Sequence, residues 1–124
     1  QRQENAAFLN EGLAGVEGVV TPYVPEGYRH VYHQYTIRFD GAGAGERDEL
    51  QKALREQWQV GSGVYYPIPN HRLDSLTKYA PGLELPATEK AARECLSLPV
   101  HPSLSQADLE RIVEAVAAVV KAGA

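Results

Sequence analysis

Between residues 31 and 39 two sets of positions alternate. Val31, His33, Tyr35, Ile37 and Phe39 interleave with Tyr32, Gln34, Thr36 and Arg38. A period of two is the signature of a half-buried strand, so the pattern predicts a strand over 31–39. The far end of the chain runs on a different period. Leu109, Ile112, Val113, Val116 and Val120 fall at i, i+3, i+4, i+7 and i+11, the apolar stripe of a helix that buries one face. Just ahead, Ser105-Gln106-Ala107-Asp108 has capping-box spacing, with Asp108 in place of the usual glutamate.

Two further helices follow from the same reasoning. Residues 2–13 place Ala6, Leu9 and Leu13 on one face, with Gly12 and Gly15 weakening the end. Residues 46–58 place Leu50, Ala53, Leu54 and Trp58 on one side, with acidic residues in the first turn where the helix dipole favours them. Val19 to Val24 is a short strand that Pro22 confines to an edge or an extended link. Thr88 is placed to cap a short helix from Glu89 to about Cys95, and Leu96 to Val100 reads as a strand ending at His101-Pro102. Residues 72–86 are irregular.

The stretch Val60 to His71 departs from every period. Its β-prone run Val64-Tyr65-Tyr66 is stopped by Pro67 and Pro69, each lacking an N–H and fixing φ. The residue before each proline is pushed extended as well. A stiff loop is predicted that leaves a sheet edge and presents Asn70, His71 and Arg72 at its far end.

Helix, strand, helix, strand, loop, helix, strand, helix is the order of an α/β or α+β sandwich. The expected fold is a small, partly antiparallel sheet of three or four strands with helices packed mainly on one face. At 124 residues the chain is about one domain long. A net charge of −4 argues against nucleic-acid binding, which needs a basic stripe. No apolar run reaches the roughly 18 residues of a membrane span, so no membrane association is expected. The single cysteine, Cys95, allows no internal disulfide and fits a reducing, cytoplasmic setting. It lies in an apolar pattern and is expected to be a small buried hydrophobe. The polar start and the absence of methionine read as a piece of a longer polypeptide.

Chemistry-bearing residues are sparse. His30 and His33, three apart on a strand, would point to opposite faces, and His71 and His101 have no ligand partners at metal spacing, so no metal site is expected. His33 shares a face with Tyr35 and Ile37, where it would be a hydrogen-bonded core histidine. Gly41-Ala42-Gly43-Ala44-Gly45 lacks the Lys-Ser/Thr ending of a phosphate loop and reads as a surface turn. Gly61-Ser62-Gly63 lacks the spacing of a nucleophile elbow. Seven tyrosines, Tyr32, Tyr35, Tyr65 and Tyr66 among them, offer flat apolar surface with a polar rim. That surface suits a sugar or nucleotide, a protein interface or a core.

Taken in order, the motifs resemble those of the DegT/StrS-type sugar aminotransferases, pyridoxal-phosphate enzymes of the aspartate aminotransferase fold (type I). The resemblance is carried by His30 to Arg38, by Arg47-Asp48-Glu49-Leu50 with Leu54, and by Gly61 to His71. Leu85 to Ala92, Cys95 to Pro102 and the opening Asn5 to Gly15 continue it, so it covers nearly the whole chain. Asn70 stands where leucine is commoner before the loop histidine, and Tyr65 where many relatives have histidine. The resemblance implies the carboxy-terminal small domain of such an enzyme, with residues 1–18 as an interdomain linker helix and turn and 19–124 as the globular unit. It implies amino transfer, usually from glutamate, to a nucleotide-linked keto-sugar by a homodimer. His33, Tyr35, Tyr66, Asn70 and His71 would line or support the substrate wall. His71 would hydrogen-bond the sugar or the donor carboxylate, and Tyr66 would pack on the substrate. Lys52, Lys78, Lys90 and Lys121 match no cofactor-lysine motif, so this stretch alone is expected to bind no pyridoxal phosphate and to be inert. The rival readings are a stand-alone binding module of the same fold and a structural domain whose aromatics are all core.

Overall fold

The structure, a computed structural model, describes residues 1–123. Its elements are α1 (Arg2–Leu13), β1 (Val19–Val20), β2 (Tyr35–Phe39), α2 (Ala44–Trp58), α3 (Asp74–Thr77), α4 (Pro86–Glu94), β3 (Cys95–Leu98) and α5 (Gln106–Gly123), with a 3-10 turn at Asn70–Arg72. The strands form one sheet in the order β1-β2-β3, antiparallel throughout where a partly antiparallel sheet was expected. Tyr35 lies opposite Leu98, Ile37 opposite Leu96, and Arg38 opposite Cys95.

The strand predicted from residue 31 begins only at Tyr35. Tyr32 takes a φ of 48°, a left-handed conformation that no strand contains. Its N–H is taken by His30 Nδ1 at 2.8 Å, and the two rings stack with centroids 4.2 Å apart. The alternation ahead of Tyr35 therefore has no sheet to serve, and Val31 and His33 are exposed. Likewise only Val19 and Val20 pair in β1 before Pro22.

Within β2 the alternation holds. Tyr35, Ile37 and Phe39 are buried in a core shared with α1, α2 and α5, together with Leu96 and Leu98 of β3. Ala6, Leu9 and Leu13 of α1, expected in a linker, lie in this same core, as does Leu54 of α2. The capping box ahead of α5 forms as read. Ser105 Oγ accepts from the Asp108 N–H at 3.2 Å, and Asp108 Oδ2 accepts from the Ser105 N–H at 2.8 Å. The stripe is rotated slightly: Leu109, Ile112 and Val116 are buried, but Ala115 and Val119 fill the places expected of Val113 and Val120. Val113, partly buried, packs against α1 at Gly12. A Cβ there would sit 2.7 Å from Val113 Cγ2, so glycine lets α1 and α5 approach closely.

Thr88 is not the cap of α4. The helix starts with Pro86 at its first position, where the missing N–H has no partner to lose, and Leu85 stands before it. It runs directly into β3 without a loop, and that junction is clamped from α2. Arg47, almost fully buried, donates from one guanidinium nitrogen to the carbonyls of Ala92 at 3.1 Å and Cys95 at 3.0 Å. Glu94, also buried, accepts from Arg38 at 2.8 Å, from the Gly41 N–H at 2.9 Å and from Lys90. Burial pushes its carboxyl up, but the Lys90, Gly41 and Arg38 hydrogen bonds outweigh this and leave it below the usual carboxylate range.

Candidate functional site

With α1, α2 and α5 on one side of β2, the opposite face is left to Thr36 and Arg38. Cys95 of β3 sits beside them, buried as expected. This face floors a cleft of about 820 Å³. One wall is the end of β1 at Val20 with the segment Thr21 to Tyr23 that follows it. A second is α4, through Thr88, Ala91 and Ala92. The third is the Tyr-Tyr-Pro loop, with Tyr66, Ile68, Asn70 and His71.

The loop is held at both ends. It leaves the sheet at Gly63, which bridges Ser97 of β3 with hydrogen bonds of 3.0 and 2.7 Å. A Cβ on Gly63 would lie 2.6 Å from the Tyr65 ring, so the absence of a side chain gives that ring its place. Tyr65 and Tyr66 meet edge to face at 6.0 Å, and Tyr66 is 74% exposed. At the other end the 3-10 turn is tied to α4 through Glu89. Glu89 Oε1 accepts from Arg72 at 2.9 Å and from the Leu85 N–H at 3.3 Å, and lies 2.8 Å from His71 Nε2. The hydrogen bond from His71, then those from Arg72 and Leu85, bring the Glu89 carboxyl down to about 2.

Three of the five sequence-derived residues, Tyr66, Asn70 and His71, share this cleft. Tyr35 does not. It is buried on the core face, its hydroxyl donating to Asn10 Oδ1 at 2.7 Å, and burial raises its phenol. Tyr35 therefore supports the sheet from behind and cannot touch a ligand in the cleft. His33 is neither in the cleft nor a core histidine. It is exposed, on the far side of Tyr65 and Tyr66, in a second hollow with Arg2 and His101. Tyr23, Tyr28, Tyr65, Tyr66 and Tyr79 are all exposed, which excludes the reading that every aromatic is core.

Arg38 and Glu89 were not read as site residues from sequence. Arg38 sits on the polar side of the strand alternation, which could have flagged it once Tyr35 and Ile37 were assigned inward. Glu89 reaches back to the Leu85 N–H from four residues on, one more than capping-box spacing, so no motif announced it. Among the described residues Arg38 is the only arginine or lysine lining the cleft, and no aspartate or glutamate lines it. No described lysine lines it for a Schiff base, and Lys90 is occupied by Asp40 and Glu94. Among the described residues no three His, Cys, Asp or Glu side chains are grouped as a metal set requires. No described helix is long and apolar enough to cross a membrane.

Residues 1–117 match the DegT/DnrJ/EryC1/StrS aminotransferase family. A pleiotropic regulatory protein of Geobacillus stearothermophilus is 43% identical over 121 residues, covering 94% of this chain and 31% of that protein. The dTDP-3-amino-3,4,6-trideoxy-alpha-D-glucose transaminase of Micromonospora megalomicea subsp. nigra is 35% identical over 115 residues, covering 89% of this chain and 29% of the transaminase. Among solved structures, S. venezuelae DesV in complex with a ketimine intermediate matches with a TM-score of 0.86 and 31% identity. That match covers 97% of this chain and 31% of the DesV chain. The chain thus spans about three-tenths of the length of these relatives.

Proposed function

The chain belongs to the DegT/DnrJ/EryC1/StrS aminotransferase family, and on that premise we propose that it forms the carboxy-terminal wall of a sugar aminotransferase. The complete enzyme moves an amino group from glutamate to the keto carbon of a nucleotide-linked sugar. The observation that carries this reading is the cleft: exposed tyrosines, one arginine and no carboxylate, built on the open face of the sheet. A flat apolar wall with polar rims suits a sugar ring and a base, and the guanidinium N–H groups that Arg38 does not give to Glu94 suit a diphosphate or the donor's carboxylate. In that arrangement Tyr66 packs on the substrate while Asn70 and His71 hydrogen-bond it. His33, from the adjacent hollow, meets the substrate only where it extends past the tyrosine ridge.

Amino transfer is the chemistry of pyridoxal phosphate, to which protein adds position and electrostatics. The residues of this chain do not fit a covalent site for that cofactor, since no described lysine reaches the cleft. The cofactor lysine would come from elsewhere in the complete, homodimeric enzyme, and these 124 residues alone would be inert.

Two measurements test the reading. Borohydride reduction of the chain mixed with pyridoxal phosphate, followed by intact mass, is expected to give no stoichiometric adduct; a single modified lysine would overturn it. In the complete enzyme Tyr66→Ala is expected to raise KM for the keto-sugar about tenfold, the loss of roughly one stacking contact. Unchanged constants for both Tyr66→Ala and His71→Ala would remove the cleft from the substrate path.

A further inference from the structure

His71 lines the cleft, yet its side chain is only 5% exposed and one ring nitrogen is already committed. Nε2 lies 2.8 Å from Glu89 Oε1. That oxygen also takes Arg72 and the Leu85 N–H, two donors that bind the carboxylate a glutamate carries at neutral pH. An ionised carboxylate only accepts hydrogen bonds, so Nε2 must carry a proton. In the neutral ring the other nitrogen is then bare. No protein group bonds Nδ1 among the described residues, and it is the nitrogen left for a cleft ligand. The wall around it supplies few other acceptors, because no carboxylate lines the cleft.

We propose that Glu89 is a positioning residue that selects the Nε2–H tautomer of His71 and so makes Nδ1 a hydrogen-bond acceptor for a hydroxyl of the sugar. The role rests on the nucleotide-sugar reading above and adds a preference to it: a substrate with a free hydroxyl opposite Nδ1 is favoured over its deoxy analogue. A site built to pair a hydroxyl discriminates against the analogue lacking it, because its own polar atom is then left alone.

The tautomer is read directly by long-range nitrogen–proton NMR of the 15N-histidine-labelled chain, at the alkaline end of a pH series where the ring shifts no longer change. A protonated Nε2 and a bare Nδ1 are expected in the native chain and in Glu89→Gln, whose amide oxygen still accepts. Both tautomers are expected in Glu89→Ala. In the complete enzyme Glu89→Ala should raise KM for the keto-sugar about tenfold while kcat and KM for glutamate hold within about twofold; Glu89→Gln should restore it. A native ring protonated at Nδ1 overturns the assignment. So does a Glu89→Ala enzyme with an unchanged sugar KM, or equal losses in Glu89→Ala and Glu89→Gln across all constants, which would mark Glu89 as a loop anchor only. The NMR readout needs neither ligand nor cofactor. An enzyme that failed to transaminate sugars would overturn the functional reading while the tautomer selection stood.

Discussion

At the scale of single residues, the cleft depends on groups that do not touch a ligand. Gly63 is one. A Cβ there meets the Tyr65 ring at 2.6 Å, but that ring is 52% exposed and can swing outward. Gly63→Ala is therefore expected to change unfolding free energy by less than about 1 kcal/mol. In the complete enzyme it should raise KM for the sugar about threefold or more, as Tyr65 leaves the wall it shares with Tyr66. Urea unfolding and steady-state kinetics measured on one preparation would separate the two effects. Arg47 is the opposite case. Removing its side chain leaves the Ala92 and Cys95 carbonyls without their donor in a buried place, and a void beside them. Arg47→Ala should cost about 3 kcal/mol in urea unfolding, with the loss falling on the α4–β3 junction. That Tyr66, Asn70 and His71 share one loop could be read because two prolines announce a stiff connection. Tyr35 proved to support the sheet rather than line the cleft, on the inward face that it was expected to share with Ile37.

Among the elements, what could be read from sequence tracks how local the cause is. The box of Ser105 and Asp108 is settled within four residues, and it forms as spaced. The strand over 31–39 was half right, because a left-handed Tyr32 held by His30 is a local alternative that a period of two cannot reveal. Gly12 looked like a weak helix end. It is instead a point of close approach between α1 and α5, a fact that belongs to two segments far apart in the chain. Gly12→Ala should therefore destabilise by about 1–3 kcal/mol through overpacking against Val113, despite alanine's better helix propensity. Pairing it with Val113→Ala should recover much of the loss, and a double-mutant cycle would show the coupling.

For the whole molecule, acid is the condition that tests how the parts are joined. Glu89 ties the 3-10 turn to α4, Glu94 ties the β2–α2 turn to α4, and Asp108 closes the cap of α5. All three carboxyls sit below their ordinary values in the folded chain, so the native state binds fewer protons than the unfolded one. Stability from these links is fully present above the ordinary carboxylate range near 4.5 and is lost as pH falls, for Glu89 toward about 2. The urea midpoint should hold from neutral pH to about 5 and then decline. In Glu89→Gln the decline should be shallower. A midpoint independent of pH between about 5 and 2 would refute the linkage.

The same sheet has a further property that follows from its edges. An unpaired strand edge is a template on which another copy can add a strand, the first step toward fibrils. Here β1 offers two residues before Pro22 breaks the ladder. The outer edge of β3 is taken up at Ser97 by Gly63, and Pro99 follows where the strand stops. The loop that builds the cleft wall thus also closes the side of the sheet most open to misassembly. Substitutions that free it from Ser97 would be felt as loss of yield before loss of binding.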